Sequence, residues 1–305
     1  MHIRNARPWA IPERLVTDER FVMNRRAVLA GVTAGILAPA AAAYAAVPVD
    51  EKYRPERAVT PEKYATTYNN YYEFGDSKNI WQDAQALKTR PWTISIEGMV
   101  KSPQTIGIDD LLSKVSQEER IYRHRCVEAW AMTVPWTGFP LSQLLKIAEP
   151  LGSAKYVVFE TAQNKAMTNL DTPLYSFPYI EGVTIAEAAN DLAFLATGMY
   201  GKPLPPQNGG PIRLTLPWKY GFKSAKALAK IRFTDKRPAT FWESLQPSEY
   251  GFWANVNPAV PHPRWSQATE RLLGSDERVP TRIYNGYGDQ VASLYANLQN
   301  EKLFM

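Results

Sequence analysis

Twenty-four prolines are scattered through the 305 residues, and they bound the architecture before any motif is read. Proline lacks the N–H that a helix interior needs, and a sheet tolerates it mainly at edges, ends and bulges. A chain so punctuated builds short elements and long connections rather than a bundle of long helices. Core material is not lacking. Hydrophobic residues make up 45% and aromatics 12%, which excludes general disorder. Short periodic segments fit this frame. Thr93 to Glu97 alternates as a half-buried strand does, and Tyr156 to Thr161, Ala193 to Thr197, Ile212 to Leu216 and Ile231 to Phe233 also read as strands. Leu141, Leu144, Leu145 and Ala148 keep the i, i+3, i+4, i+7 spacing of a helix, and Asp109 to Val115 reads as another. Thr184 and Glu187 form a capping-box pattern at the start of a third. A last short helix is expected over Val291 to Leu298. No repeat or flexible linker divides the chain. The expectation is one α+β domain of mixed sheets, short helices and extensive loops over 91–305, preceded by an irregular arm over 46–90.

The first 45 residues read as an export address. Six of the 35 basic residues (Arg4, Arg7, Arg14, Arg20, Arg25 and Arg26) and three of the 30 acidic ones lie there. An uncharged stretch from Ala27 to Val47 follows, containing Ala43-Tyr44-Ala45 as a small-x-small cleavage site. The paired Arg25-Arg26 before Val28-Leu29 resembles a twin-arginine signal. That implies the export machinery as a partner, a periplasmic destination and a cofactor inserted before export. The alternative, an uncleaved anchor, has the length to span a membrane but is interrupted by Pro39 and poor in large hydrophobes. Without the leader the chain is only two charges positive, so the overall +5 does not point to nucleic acid.

Within the arm, Tyr68-Asn69-Asn70-Tyr71-Tyr72-Glu73-Phe74-Gly75 is too polar on every face for an amphipathic helix and too aromatic to be left in water. It is an ordered loop, serving either as a clamp on the core or as a ligand contact. The lone cysteine, Cys126, cannot form a disulfide within its own chain. Three readings stand: an inert core residue, a nucleophile, or a soft metal ligand. Arg123, His124 and Arg125 would favour the thiolate if they lie close to it in space. Zinc-type spacings and Gly-rich nucleotide loops are missing from the sequence. The segment from Leu204 to Lys226 joins Gly209-Gly210, Arg213, a turn over Pro217 to Gly221, and Lys223, Ser224 and Lys226. It reads as a phosphate site or as an ordinary basic hairpin surface.

Arg125-Cys126-Val127-Glu128-Ala129-Trp130, the segment Pro205 to Lys226 and the loop Asn69 to Glu73 together resemble the sulfite oxidase superfamily of molybdenum enzymes. Ala254-Asn255-Val256-Asn257-Pro258, the run from His262 to Arg271 and Tyr284-Asn285-Gly286-Tyr287 resemble more closely its branch of periplasmic protein-methionine-sulfoxide reductases. The resemblance covers essentially all of the chain after the leader. It implies a sulfite oxidase-like fold and a molybdenum–molybdopterin cofactor with Cys126 as the protein ligand. Asn69, Tyr72, Glu73, Thr161, Asn208 and Arg213 would contact the pterin, and Ser224, Ala225 and Lys226 its phosphate. Glu128 is a candidate proton source or hydrogen-bonding partner, sharing a strand face with Cys126 if the strand continues. Trp130, Trp253 and Tyr250 are either part of the substrate approach or aromatic core. Electrons would come from a haem-bearing, quinol-fed membrane subunit, MsrQ, and the substrates would be oxidised periplasmic proteins. The competing expectations are a sulfite oxidase-type enzyme acting on another small oxyanion or S-oxide, and a non-catalytic periplasmic binding protein.

Overall fold

The computed structural model describes residues 47–305, which fall within one compact unit. The expected leader lies outside the described residues. Along the chain the strands are β1 (Val49–Asp50), β2 (Thr93–Gly98), β3 (Gln104–Gly107), β4 (Glu118–Arg125), β5 (Trp130–Pro140), β6 (Tyr156–Thr161), β7 (Ile180–Thr184), β8 (Phe194–Met199), β9 (Lys202–Pro203), β10 (Arg213–Thr215), β11 (Leu228–Thr234), β12 (Thr269–Leu272) and β13 (Arg278–Pro280). They form two sheets. One runs β3-β2-β11-β6-β7, antiparallel except where β2 lies beside β11. The other runs β1-β4-β5-β12-β13, with β8 also on β5, and β9 and β10 on β8. Helices are short, and among the described residues none is long and apolar enough to cross a membrane.

The β4–β5 hairpin is the spine of the larger sheet. All eleven residues of β5 are buried. One edge of β5 pairs with β4. The other takes β12 at Trp130 and Ala131, then β8 from Trp136 to Pro140. With both faces covered there is no polar alternation to read, which is why the sequence did not mark this strand.

The helix Leu141–Ala148 buries Leu141, Leu144 and Ala148 as its spacing predicts. The capping box forms too: Glu187 N donates to Thr184 Oγ1 at 3.1 Å, and Thr184 N to Glu187 Oε2 at 2.9 Å. Two expectations need correction. The last helix is not one run over Val291 to Leu298. A short turn, Gly288–Val291, passes into a 3-10 segment, Ala292–Tyr295. Val291 and Tyr295 are still buried, in the tighter geometry that short helix ends adopt. The arm is less irregular than expected, with a helix over Glu62–Thr67 and a 3-10 turn over Asp83–Ala86. Each is under two turns, too short for a period to show.

Candidate active site

The ends of β4 and β6, the start of β5, strand β10, the segment 221–226 ahead of β11 and the loop 68–73 open on one cavity of about 820 Å³, its mouth included. Both sheets therefore contribute. All eleven candidate residues line it: Asn69, Tyr72, Glu73, Cys126, Glu128, Thr161, Asn208, Arg213, Ser224, Ala225 and Lys226. So do Asn70, His124, Met132, Tyr179 and Gly221, which sequence reasoning did not single out as site residues. The loop 68–75 is both things it was read as. Tyr71 and Phe74 pack into the core, while Asn69, Tyr72 and Glu73 face the cavity.

Cys126 closes β4. Strand alternation puts its neighbours to different uses. Arg125 is fully buried and points away, ion-paired to Glu270 at 2.9 Å. Arg123 donates to Asn285 O at 3.1 Å. The condition on which the arginines would favour the thiolate is thus not met by their side chains, which occupy the opposite face, although the Arg125 charge still acts weakly on the thiol. His124 does face the cavity, but burial, with Arg213 and Lys226 nearby, pushes its pKa down to about 3 and keeps it neutral. Burial, helped by Glu128, pushes the Cys126 thiol up to about 12. A metal ion bound at the sulfur would hold it as a thiolate at neutral pH.

Glu128 reaches the thiol by another route than the one expected. The strand stops at Arg125, and residues 126–129 form a turn in which Ala129 N donates to Cys126 O at 3.1 Å and Ala129 has φ of 60°. The turn folds the carboxylate back to 3.7 Å from Sγ. There Lys78 (2.7 Å), Trp130 Nε1 (3.1 Å) and Asn70 Nδ2 (3.2 Å) all meet it. Burial works against its charge, but Lys78, Trp130 and Asn70 outweigh burial and hold the carboxyl below its ordinary range.

The other end of the cavity is cationic. Arg213 is buried, and its guanidinium donates to Asn208 O (3.0 Å), Ser224 O (3.1 Å) and Leu214 O (3.2 Å), with no carboxylate in reach among the described residues. Lys226 donates to Asn70 O and lies 4.8 Å over the Tyr71 ring, and among the described residues it too has no ion pair. Burial, with Arg213 beside it, pushes Lys226 down to about 7. Gly209, at φ +97°, is what lets Lys226 lie there, because a Cβ would come 2.7 Å from its stem. Lys223 is not part of this end. It is buried in an ion pair with Glu181 at 2.5 Å, on the far side of the turn. Ser224 Oγ accepts from Leu216 N at 3.2 Å, which leaves its proton free to donate. Glu73 is buried and accepts from Thr161 Oγ1 at 2.8 Å.

Three asparagine oxygens line the middle. Asn69 and Asn208 hang from the same carbonyl, Ala65 O, by their Nδ2 groups (3.3 and 2.9 Å). Their Oδ1 atoms, and that of Asn70, are buried without a partner among the described residues. Orphaned buried acceptors also occur elsewhere in this core, but three of them on one cavity wall suit a ligand that brings its own donors. Acceptors in the middle, cations at one end and a thiol at the other match a flat, N–H-rich heterocycle with a phosphate and a soft metal. Among the described residues no cluster of three or more His, Cys, Asp or Glu side chains could hold a metal by itself, so a metal at Cys126 would draw its other ligands from the heterocycle.

Outside Glu128 the cavity widens into a groove lined by Tyr72, Tyr175, Trp242, Tyr250 and Trp265, with Leu174 and Leu245 exposed at its rim. Trp130 and Tyr250 answer to both readings, buried and at the cavity wall. Trp253 does not: its ring packs on Tyr295 and its Nε1 donates to Glu301 at 2.9 Å.

Comparison with known proteins places the chain in a family. The family profile described as "Oxidoreductase molybdopterin binding domain" matches residues 82–242. The chain is 46% identical over 316 aligned residues to a protein of Burkholderia mallei called protein-methionine-sulfoxide reductase catalytic subunit MsrP, covering 96% of each chain. Proteins of the same name from Ralstonia nicotianae and Xanthomonas axonopodis pv. citri are each 45% identical, over 96% of this chain and 96% and 98% of theirs. The chain thus belongs to the MsrP family of protein-methionine-sulfoxide reductase catalytic subunits, within the sulfite oxidase superfamily of molybdopterin-binding oxidoreductases.

Proposed function

We propose that this protein is the catalytic subunit of a periplasmic reductase that removes oxygen from methionine sulfoxide in oxidised proteins. The observation that carries the reading is the cavity's sorted chemistry: one buried thiol, three unpartnered asparagine oxygens and two cations without carboxylates. Cys126 Sγ would be the protein ligand to molybdenum. Asn69, Asn208, Tyr72, Glu73 and Thr161 would hold the pterin, with Arg213, Ser224, Ala225 and Lys226 around its phosphate. When bound, the cofactor supplies two-electron oxygen-atom transfer. The chain's own residues do the rest. Asn70 Nδ2 and Glu128 stand 3.7 Å from Sγ, placed to orient a sulfoxide. The groove aromatics exclude water around the methionine stem. The low pKa of Glu128 makes it a poor store of protons, so we give it a hydrogen-bonding role.

Charge favours a neutral sulfoxide over sulfite. At the thiol end Lys78 is already paired to Glu128, and Arg264 at the groove is paired to Glu249 at 2.8 Å. An oxyanion arriving there meets a carboxylate and cations that are already paired. Electrons would come from a haem-bearing, quinol-fed membrane subunit of the MsrQ type. Export in the folded, loaded state by the twin-arginine route would place the enzyme in the periplasm.

The test is metal and pterin analysis of the exported protein, then two assays: methionine sulfoxide with a reduced dye, and sulfite with an acceptor. About one molybdenum per chain and turnover of the sulfoxide are expected. Turnover of sulfite alone, or a metal-free protein, overturns the reading. Cys126→Ala is expected to fold but to lose both metal and activity.

A further inference from the structure

The run from His262 to Arg271 has no residue among the candidate contacts, yet its side chains converge on the back of the Cys126 turn. Trp265 Nε1 donates to Val127 O at 2.7 Å, and Gln267 Nε2 donates to the same oxygen at 2.8 Å. Gln267 Oε1 accepts from Arg125 Nη2 at 2.7 Å. Arg125 in turn donates to Cys126 O and is ion-paired to Glu270. Arg271 N donates to Ala129 O at 2.9 Å. The carbonyls of Cys126, Val127 and Ala129 are thereby fixed from behind, by Arg125, Gln267 and Arg271, which do not line the cavity, and by the N–H of Trp265, whose ring lines the groove outside it. Gln267, Glu270 and Arg125 are 2%, 1% and 0% exposed. Trp265 is itself held by stacking on His262, with centroids 3.8 Å apart and planes 8° apart.

We infer that Trp265 and Gln267 are positioning residues that set where Cys126 Sγ stands relative to its metal. This rests on the assignment of Cys126 as metal ligand. A four-residue turn has little stiffness of its own, and its Ala129 sits at positive φ. A ligand atom carried on such a turn wanders unless its backbone is tied down. Two donors on one carbonyl oxygen, one of them cross-linked to the adjacent buried arginine, do that. Gln267 is suited to the task because an amide both donates to Val127 O and accepts from Arg125.

The test compares the loaded protein with its Gln267→Glu and Trp265→Phe variants. A carboxylate in place of the Gln267 amide would keep the contact to Arg125 and lose the donor to Val127 O. A phenyl ring in place of the Trp265 indole would keep the stack on His262 and lose the N–H. Molybdenum content of the unsubstituted protein is measured first, and its absence would defeat the ligand assignment on its own account. Amide hydrogen exchange is then read peptide by peptide, in loaded and metal-free protein. Expected is exchange about tenfold faster over residues 126–130 in each variant, as the loss of one buried hydrogen bond implies, with residues 156–161 unchanged. The Mo(V) paramagnetic resonance signal should broaden or split in both variants, and in Gln267→Glu, whose side chain does not line the groove, kcat should fall with KM held. Unchanged exchange and line shape in either folded variant overturns the inference. So does faster exchange spread evenly over both sheets, which would mean lost stability and no local clamp. If Gln267→Glu does not fold, Trp265→Phe decides alone.

Discussion

Lys219 and Lys226 lie seven residues apart on one connection, and the protein treats them in opposite ways. Lys219 is sealed in and fully answered: Glu187 at 2.5 Å, Trp253 O at 2.7 Å and Asn255 Oδ1 at 3.0 Å. Glu187 also accepts from Tyr295 OH and caps its own helix through Thr184. Lys226 has one carbonyl and an aromatic face, and it looks into the cavity. A buried charge with a complete set of partners serves the fold, whereas one left short of partners is set aside for a ligand. Position in the chain does not distinguish the two. The partners do.

The sharpest way to break this contrast is Lys226→Met. If Lys226 meets the cofactor phosphate as proposed, its loss is expected to weaken cofactor retention by about a hundredfold or more, read as molybdenum per chain after dialysis. The cofactor-free variant should unfold at the same denaturant concentration as the unsubstituted cofactor-free protein, or at a higher one. A clear loss of stability would put Lys226 in the same class as Lys219.

Lys219→Met should do the reverse. It leaves Glu187 buried and charged, which costs about 3–5 kcal/mol in a denaturant titration. Cofactor bound per folded molecule should not change. Adding Glu187→Gln, which can keep the cap on Thr184, should recover part of the loss. No recovery would mean that the ion pair is not the source of the effect.

The smallest effect is in the pH dependence of the cofactor-free protein. Lys226 holds its proton up to about pH 7 when folded, against an ordinary value of 10.5. Between those values the unfolded chain binds more protons, so raising the pH favours the folded state. Stability should therefore climb from about pH 7 towards 10.5, and Lys226→Met should remove the climb between about 7 and 8 and make it shallower above that. Lys219, whose pKa is pushed down to about 8 by burial, supplies the slope that remains in the upper part. Parallel curves for variant and parent would show that Lys226 is not desolvated.

The same contrast shows what could be read in the sequence. Residue types were legible. An Arg, a Ser and lysines after a Gly-Gly loop allowed an anion site as readily as a plain basic surface, and the eleven candidates that the resemblance supplied do meet at one cavity. Which lysine faces it was not. Residues 216–227 follow no strand or helix period for most of their length, so nothing in the spacing separates Lys219 and Lys223 from Lys226. Where a period exists, it worked both ways. The helix Leu141–Ala148 was read from its stripe. At β4, alternation alone would have sent Arg123 and Arg125 away from Cys126, had the strand been recognised. Its partner β5 hid because it is buried on both faces and carries Pro135 and Gly138, residues that otherwise signal a break. The helix from Ile108 to Ser113 was visible because one face is wet, and the strand β6 because its Val-Val-Phe run is short, β-branched and flanked by polar residues.

The carbonyl of Ala65 sets a clock as well as a shape. It receives the amide of Asn69 from four residues away and that of Asn208 from 143 residues away. The second bond closes a loop of nearly half the chain, and contacts so distant in sequence form late. The acceptors of the cavity are therefore in register only after both the arm and the segment around residue 208 have been made and brought together. A partly synthesised chain has the thiol but not the cradle, so cofactor capture reports that folding is complete.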